Sequence, residues 1–248
     1  MPALRLVVLS LRYSSWSMRP WLALTHAGAS FTTETAEVDL ERQSLGTGND
    51  AALSKVARRE IEERRKRGSV AGLFPVLHVG DAAIHESLAI CEYVNEAFPE
   101  AQLWPEAGLA RARARAISTE MVTSFANMRM HMSCHLFGRV PSFTPNAATE
   151  RDIERVFEIW REALARSGGP FLFGRFSIAD AMFFPVRTRF RTYGVAIPSD
   201  LLSYVRALDE LPAVRALHQI AKGAPAIPPY DAYLRSLGGE PNAALSDA

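Results

Sequence analysis

Along the first hundred residues the apolar positions alternate between two periods. Leu4 to Leu9 is a short apolar run with β-branched members, broken only by Arg5 and ended at Ser10, which predicts a buried strand. Trp16 to Ala27 has helical spacing, with Ser17 placed as an N-cap, Pro20 in the first turn and Gly28 just past the end. Phe31 to Val38 predicts a second strand. After a long polar interval, Phe74 to Val79 and Ala82 to His85 flank Gly80-Asp81, a two-residue signal for an antiparallel hairpin. Ser87 to Ala97 predicts another helix, grouping Leu88, Cys91, Tyr93 and Val94. Strand, helix, strand, hairpin and helix together predict a small α/β domain with a mixed sheet over residues 1–98.

Pro99 and Pro105 mark a linker over 99–107, and beyond it the strand signals vanish. Leu109 to Met132, Glu150 to Arg166, Ile178 to Tyr193, Leu201 to Leu208 and Val214 to Lys222 all show helical periodicity between Pro, Gly and Ser clusters. They predict an all-α domain over 108–235. The segment 236–248 is small and polar, as expected of a flexible tail.

Charge and composition narrow the function classes. Lys and Arg number 28 against 27 Asp and Glu, a formal net charge of +1, which argues against a dedicated nucleic-acid binder. Cys91 and Cys134 are the two cysteines, too few and too far apart for a disulfide framework. No run of about 18 apolar residues is present, and the apolar start is too short for a secretory signal. A cytoplasmic protein without membrane association is expected. The near-neutral total conceals one local excess: Arg58 to Arg67 holds six basic and three acidic residues, a run of +3 inside a charged insertion at about 46–69. Read as a helix, its Glu60, Glu62 and Glu63 pair with Arg64, Lys66 and Arg67 at i,i+3 or i,i+4.

The first strand–helix junction carries the chemistry. A helix N-terminus offers free N–H groups and the positive end of the helix dipole, and so favours an anion. Thioredoxin-like domains place Cys-x-x-Cys there to lower a thiol pKa. Here the four residues are Ser14-Ser15-Trp16-Ser17, without a thiol. Disulfide exchange on the protein is excluded, whereas hydroxyls at that place can donate to a thiolate carried by a ligand. Capping the helix is the simpler role for the same serines. Pro75 heads a strand, at the position where thioredoxin-like folds hold a cis-proline facing the junction. Glu86 and Ser87 stand immediately before a helix, offering a carboxylate to an ammonium group and N-terminal amides to a carboxylate.

Three runs, Tyr13-Ser-Ser-Trp-Ser-Met-Arg-Pro-Trp21, Leu73-Phe-Pro-Val-Leu77 and Glu86-Ser-Leu-Ala-Ile-Cys-Glu-Tyr-Val94, resemble the glutathione-site segments of the cytosolic glutathione S-transferase family, most of all its serine-type, zeta-like bacterial members. Phe171-Leu-Phe-Gly-Arg-Phe-Ser-Ile-Ala-Asp180 is similar to that family's capping-box motif, and Ser177 and Asp180 have Ncap and N3 spacing on independent grounds. The resemblance implies a thioredoxin-like N-terminal domain, an all-α C-terminal domain and a homodimer. It implies that Ser14 hydrogen-bonds the sulfur of glutathione, with Tyr13 or Ser15 as alternatives, that Phe74 before a cis Pro75 pairs its backbone with the cysteinyl part, and that Glu86 and Ser87 hold the γ-glutamyl end. Arg19 is expected to buttress the helix or the domain interface.

Two departures from the family pattern matter. Trp16 replaces the Cys of zeta-like isomerases, and Leu73 stands where many relatives carry a basic residue for the glycyl carboxylate. Arg64, Arg65 or Lys66 of the insertion can supply that charge. His131 and His135, at i,i+4 beside Cys134, have no partner motif for a metal site, and no metal is expected. Met121, Phe125, Met128 and Met132 instead predict an adaptable apolar wall, part core and part pocket for a small electrophilic substrate. The leading reading is a glutathione transferase or isomerase. The alternative is a glutathione-site protein with reduced catalysis that acts as a binding or regulatory module.

Overall fold

The computed structural model describes residues 2–36, 61–69 and 72–245. Strand β1 (Leu4–Val8) lies second in a four-stranded sheet, between β2 (Phe31–Thr35), which it pairs in parallel, and β3 (Val76–Val79), which it pairs antiparallel; β4 (Ala82–His85) continues as a hairpin. Leu4, Leu6 and Val8 point into the main core with Leu77, while Val7 joins Phe74, Val76 and Ala36 in a small cluster on the other side. A strand at period 2 that is apolar on both faces belongs in the sheet interior. Arg5 is its one exposed member, and it pairs with Glu34 on β2 at 2.5 Å.

Helices α1 (Ser15–His26) and α2 (Ser87–Ala97) cover the face that carries the main core. The N-cap of α1 is Ser14 rather than Ser17, so the helix begins one residue earlier than its pattern suggests. Ser17 turns inward, and its Oγ accepts the Leu9 N–H at 3.2 Å. Pro20 consequently lies in the second turn, where its missing N–H leaves the Trp16 carbonyl without its i+4 donor. The Ser87 hydroxyl supplies the replacement, donating to that carbonyl at 2.9 Å and tying α2 to α1.

The helical region comprises α3 (Gly108–Thr123), α4 (Ala126–His131), α5 (Ala147–Ser167), α6 (Ile178–Thr192), α7 (Leu202–Glu210), α8 (Pro212–Lys222) and α9 (Pro228–Ser236). One predicted helix over Leu109 to Met132 is in fact two. The chain breaks at Ser124 and Phe125, where Phe125 takes a left-handed conformation (φ 61°) that keeps its ring in the core. Helix α6 forms the axis of this region: almost every residue is buried, and its start is fixed by Asp180, whose Oδ2 accepts both the N–H and the hydroxyl of Ser177 at 2.8 Å. Its Oδ1 accepts the Leu172 N–H at 3.1 Å.

Two corrections concern the C-terminus. The nine-residue α9 is absent from the helices expected from sequence, because Pro228 and Pro229 read as a loop while serving as the first helical positions. Of the segment 236–248 expected to be a flexible tail, the described residues, which end at 245, pack on the body: Arg139 and Glu240 exchange backbone hydrogen bonds, Ala244 N–H donates to the Phe137 carbonyl at 2.9 Å, and Ala244 is buried. Most of the charged insertion, including Arg58 to Glu60, lies outside the described residues. Its described end is helical over residues 61–66, with Glu62–Arg65 and Glu63–Lys66 pairs at i,i+3.

Candidate active site

Strand register brings the three candidate segments to one end of the sheet. Val7 of β1 pairs Val76 of β3, and Val76 pairs His85 of β4. The loop leaving β1 toward Ser14, the Phe74-Pro75 step entering β3 and the Glu86-Ser87 step leaving β4 therefore share one edge. The Ser87–Trp16 hydrogen bond closes that edge against α1.

Ser14 is 6% exposed and extended (φ −94°, ψ 101°), the backbone form an N-cap adopts. Its Oγ accepts the Ser17 N–H at 3.3 Å, and its own N–H donates to the Ser10 carbonyl at 3.1 Å. Among the described residues no acceptor takes the Ser14 hydroxyl proton, which leaves it for a ligand. Ser15 Oγ accepts from Nη2 of Arg189 on α6 at 3.5 Å, and its hydroxyl proton likewise has no acceptor among the described residues; Ser14 differs from it in standing at the N-cap. The Phe74-Pro75 peptide is cis, and Phe74 is buried on Val7 and Val76. Glu86 is exposed and holds a positive φ of 74° while capping α2 through its backbone alone. Leu73 is 59% exposed. Beside it, Arg64 Nη1 donates to the Gly72 carbonyl at 3.0 Å, which brings this cation to the Leu73 turn.

The wall between sheet and helices is built of cations and sulfur. Arg19 is completely buried, donates from Nε to the Met182 carbonyl of α6 at 3.1 Å, and stacks its guanidinium 4.3 Å from the Trp16 ring centre. Burial, reinforced by Arg189, pulls its pKa down to about 9. It joins α1 to α6, the buttress expected of it. Arg129 faces the same indole at 5.8 Å. Met121, Phe125, Met128 and Met132 are all buried in the main core, so they belong to the core half of the wall expected from them rather than to an open pocket face. Both protein thiols are buried, and burial pushes Cys91 up to about 12 and Cys134 upward, so neither supplies a thiolate at neutral pH.

Tyr13 points away from the shared edge. It is buried, its hydroxyl donates to Asp231 Oδ1 on α9 at 2.9 Å, and burial together with that carboxylate raises its pKa far above the ordinary phenol range. His135 Nε2 shares the same oxygen at 2.9 Å. Because a carboxylate only accepts, that nitrogen carries the proton. Burial depresses the imidazole to about 4, so the contact is a neutral hydrogen bond rather than an ion pair. His131 turns elsewhere, with Nδ1 3.1 Å from Thr149 Oγ1, and the two histidines do not converge. The sequence pattern missed Asp231; an acidic residue in the first turn of a Pro-Pro helix start was its one signal.

A family model described as the glutathione S-transferase N-terminal domain matches residues 13–97, and one described as the glutathione S-transferase C-terminal domain matches residues 146–219. A probable maleylacetoacetate isomerase from Vibrio cholerae serotype O1 is 26% identical over 157 residues, 62% of this chain and 71% of the relative. Among solved structures, a glutathione transferase homologue from Burkholderia gl BGR1 with bound glutathione superposes with a TM-score of 0.63 at 19% identity, covering 89% of this chain and 98% of that one. A theta class enzyme from Xanthomonas axonopodis pv. citri, also with glutathione bound, gives 0.57 at 22% identity, over 87% of this chain and 97% of that one. At these identities the structural likeness carries the fold. With both domain models matched in order across well over half of its length, a sheet domain followed by a helical one, the chain belongs to the glutathione S-transferase family.

Proposed function

We propose that this glutathione transferase activates its co-substrate through Ser14, whose hydroxyl donates to the sulfur of glutathione and favours the thiolate. The observation that carries the reading is the state of that hydroxyl: its lone pair receives the Ser17 N–H while its proton has no acceptor among the described residues. The N-terminus of a 12-residue helix adds a positive field at the same point. Each unit by which the bound thiol pKa falls requires about 1.4 kcal/mol of preference for the anion. The thiolate then attacks a small electrophile held against the helical wall, and proximity supplies much of the remaining acceleration.

In this reading the Phe74 backbone before Pro75 pairs with the cysteinyl unit. Glu86 meets the γ-glutamyl ammonium, the Ser87 N–H meets its carboxylate, and Arg64 replaces the basic residue missing at Leu73. The Ser87 hydroxyl takes no part, being spent on Trp16. Tyr13 is disfavoured for the sulfur contact because its proton is already given to Asp231. Residues 1–98 form the glutathione-binding domain and 108–235 the helical domain of a cytoplasmic homodimer; none of the described helices is long and apolar enough to cross a membrane. The isomerase relative makes glutathione-dependent isomerisation a second activity to assay, with Trp16 in place of the usual cysteine.

The test is a titration of glutathione by thiolate absorbance with and without protein. A bound thiol pKa at least one unit below that of free glutathione is expected, and Ser14→Ala should abolish the shift. Tight binding with an unshifted thiol would overturn the serine reading and assign the chain a binding or regulatory role.

A further inference from the structure

The five residues that end in Ser14 are held from behind. Ser14 donates its N–H to the Ser10 carbonyl at 3.1 Å, and the Arg12 N–H donates to Ser10 Oγ at 3.1 Å. The Arg12 carbonyl accepts the Leu136 N–H at 2.9 Å. The Arg12 guanidinium lies 5.0 Å from the Tyr13 ring centre and donates to Asn242 Oδ1 and, at 3.4 Å, to the Pro241 carbonyl. Tyr13 packs edge-on against His135 at 4.7 Å and against Tyr230 at 5.4 Å. At the centre of this arrangement Asp231 Oδ1 accepts from both Tyr13 and His135, with Arg12 and Arg235 as the charged groups nearest the pair. A buried carboxylate bound by two neutral donors is costly for packing alone, and Tyr13 adjoins Ser14 directly in the chain.

We propose that Asp231 is a positioning residue of the Ser14 site: through Tyr13 it fixes the loop that presents the serine hydroxyl, and it keeps the neighbouring phenol away from the thiol. The inference rests on Ser14 being the sulfur contact. Helix α9, the last of the described helices, thereby decides which hydroxyl of the Tyr13-Ser14 pair meets glutathione. Misplacement of such a group by about 1 Å is enough to cost about 100-fold in rate, so a distant carboxylate can govern kcat without touching either substrate.

The experiment compares Tyr13→Phe, Asp231→Leu, the double variant and Asp231→Asn, reading kcat, KM for glutathione and the bound thiol pKa, with thermal unfolding as the check on folding. Tyr13→Phe and Asp231→Leu should each lower kcat by about fivefold or more while KM stays within about threefold, with the thiol pKa raised by about half a unit or more. The double variant should be no worse than the worse single, because both remove one path. Asp231→Asn keeps an acceptor at Oδ1 and should recover at least about half of kcat. Should Asp231→Leu fail to fold, Tyr13→Phe decides by itself, since it removes a single oxygen. An inactive Ser14→Ala, together with a Tyr13→Phe enzyme whose bound thiol pKa and kcat stay close to those of the unsubstituted protein, overturns this inference and leaves the serine reading intact. A fully active Ser14→Ala overturns both, and a loss in Tyr13→Phe far exceeding that in Asp231→Leu gives the thiol to Tyr13 and overturns the inference as well.

Discussion

Acidification from pH 7 to pH 5 should destabilise the fold through His135, which is buried, and His218, which is half-buried, partly offset by one buried acid. His135 and His218 are each depressed to about 4 by burial, His218 being further lowered by Arg191. Between the unfolded value near 6.5 and the folded value, the unfolded chain binds protons that the native chain refuses, so stability falls as pH falls through this window. Asp180 has the opposite sign. Burial raises it to about 6 against 3.8 in the unfolded chain, so the native state binds the extra proton and stability is regained on acidification. Over pH 7 to 5 the linkage relation gives a loss of about 1.8 kcal/mol for each histidine and a gain of about 1.3 kcal/mol for Asp180. The net is a loss of about 2 kcal/mol, equivalent to a fall in Tm of about 5 °C for a chain of this size. Urea unfolding followed by tryptophan fluorescence at half-unit pH steps measures it, and His218→Gln should remove about 1.8 kcal/mol of the loss, leaving a net of about 0.5 kcal/mol. Stability that is flat or rising between pH 7 and 5 would refute the assignment of both imidazoles as neutral groups.

Three further outcomes test separate parts of the structure. Ser87→Ala should cost about 1–2 kcal/mol in the same urea assay, because Pro20 cannot donate to the part-buried Trp16 carbonyl that loses its partner. Gly239→Ala should destabilise by about 1–3 kcal/mol, since an added Cβ would lie 2.7 Å from the Arg139 carbonyl oxygen and 3.0 Å from that of Leu234; unchanged stability would show that the C-terminal segment does not pack there. Glu86→Gln should raise the dissociation constant for glutathione by about tenfold by calorimetry, the loss of a charge-assisted contact to an ammonium group, while a ligand lacking that ammonium should bind both forms equally.

The strand and helix pattern of the described residues between 4 and 97 was legible because periods 2 and 3.6 are local properties of the chain, and the helix Ser87–Ala97 and the strand Ala82–His85 follow it residue for residue, while the end of the strand expected over Phe31 to Val38 lies outside the described residues. The Ser177–Asp180 capping box was legible for the same reason, being complete within four residues. Where the pattern erred, a distant contact had intervened. Ser17 rather than Ser14 looked like the cap until the Leu9 N–H claimed its hydroxyl. One long helix became α3 and α4 because Phe125 leaves helical geometry to bury its ring.

The sequence by itself therefore determined the order of elements, the absence of a thiol at the first helix terminus and which residues are candidates to hold glutathione. Only the tertiary structure decided how those residues are employed. Ser87 gives its hydroxyl to Trp16, Ser15 meets Arg189, Tyr13 is committed to Asp231 more than two hundred positions away, and the segment after α9 packs behind the serine loop. The physical reason is that a hydrogen-bonding group is defined by what remains unsatisfied after folding. Composition and spacing count donors and acceptors, whereas their pairing across the chain is fixed only when burial removes the water that would otherwise satisfy them all.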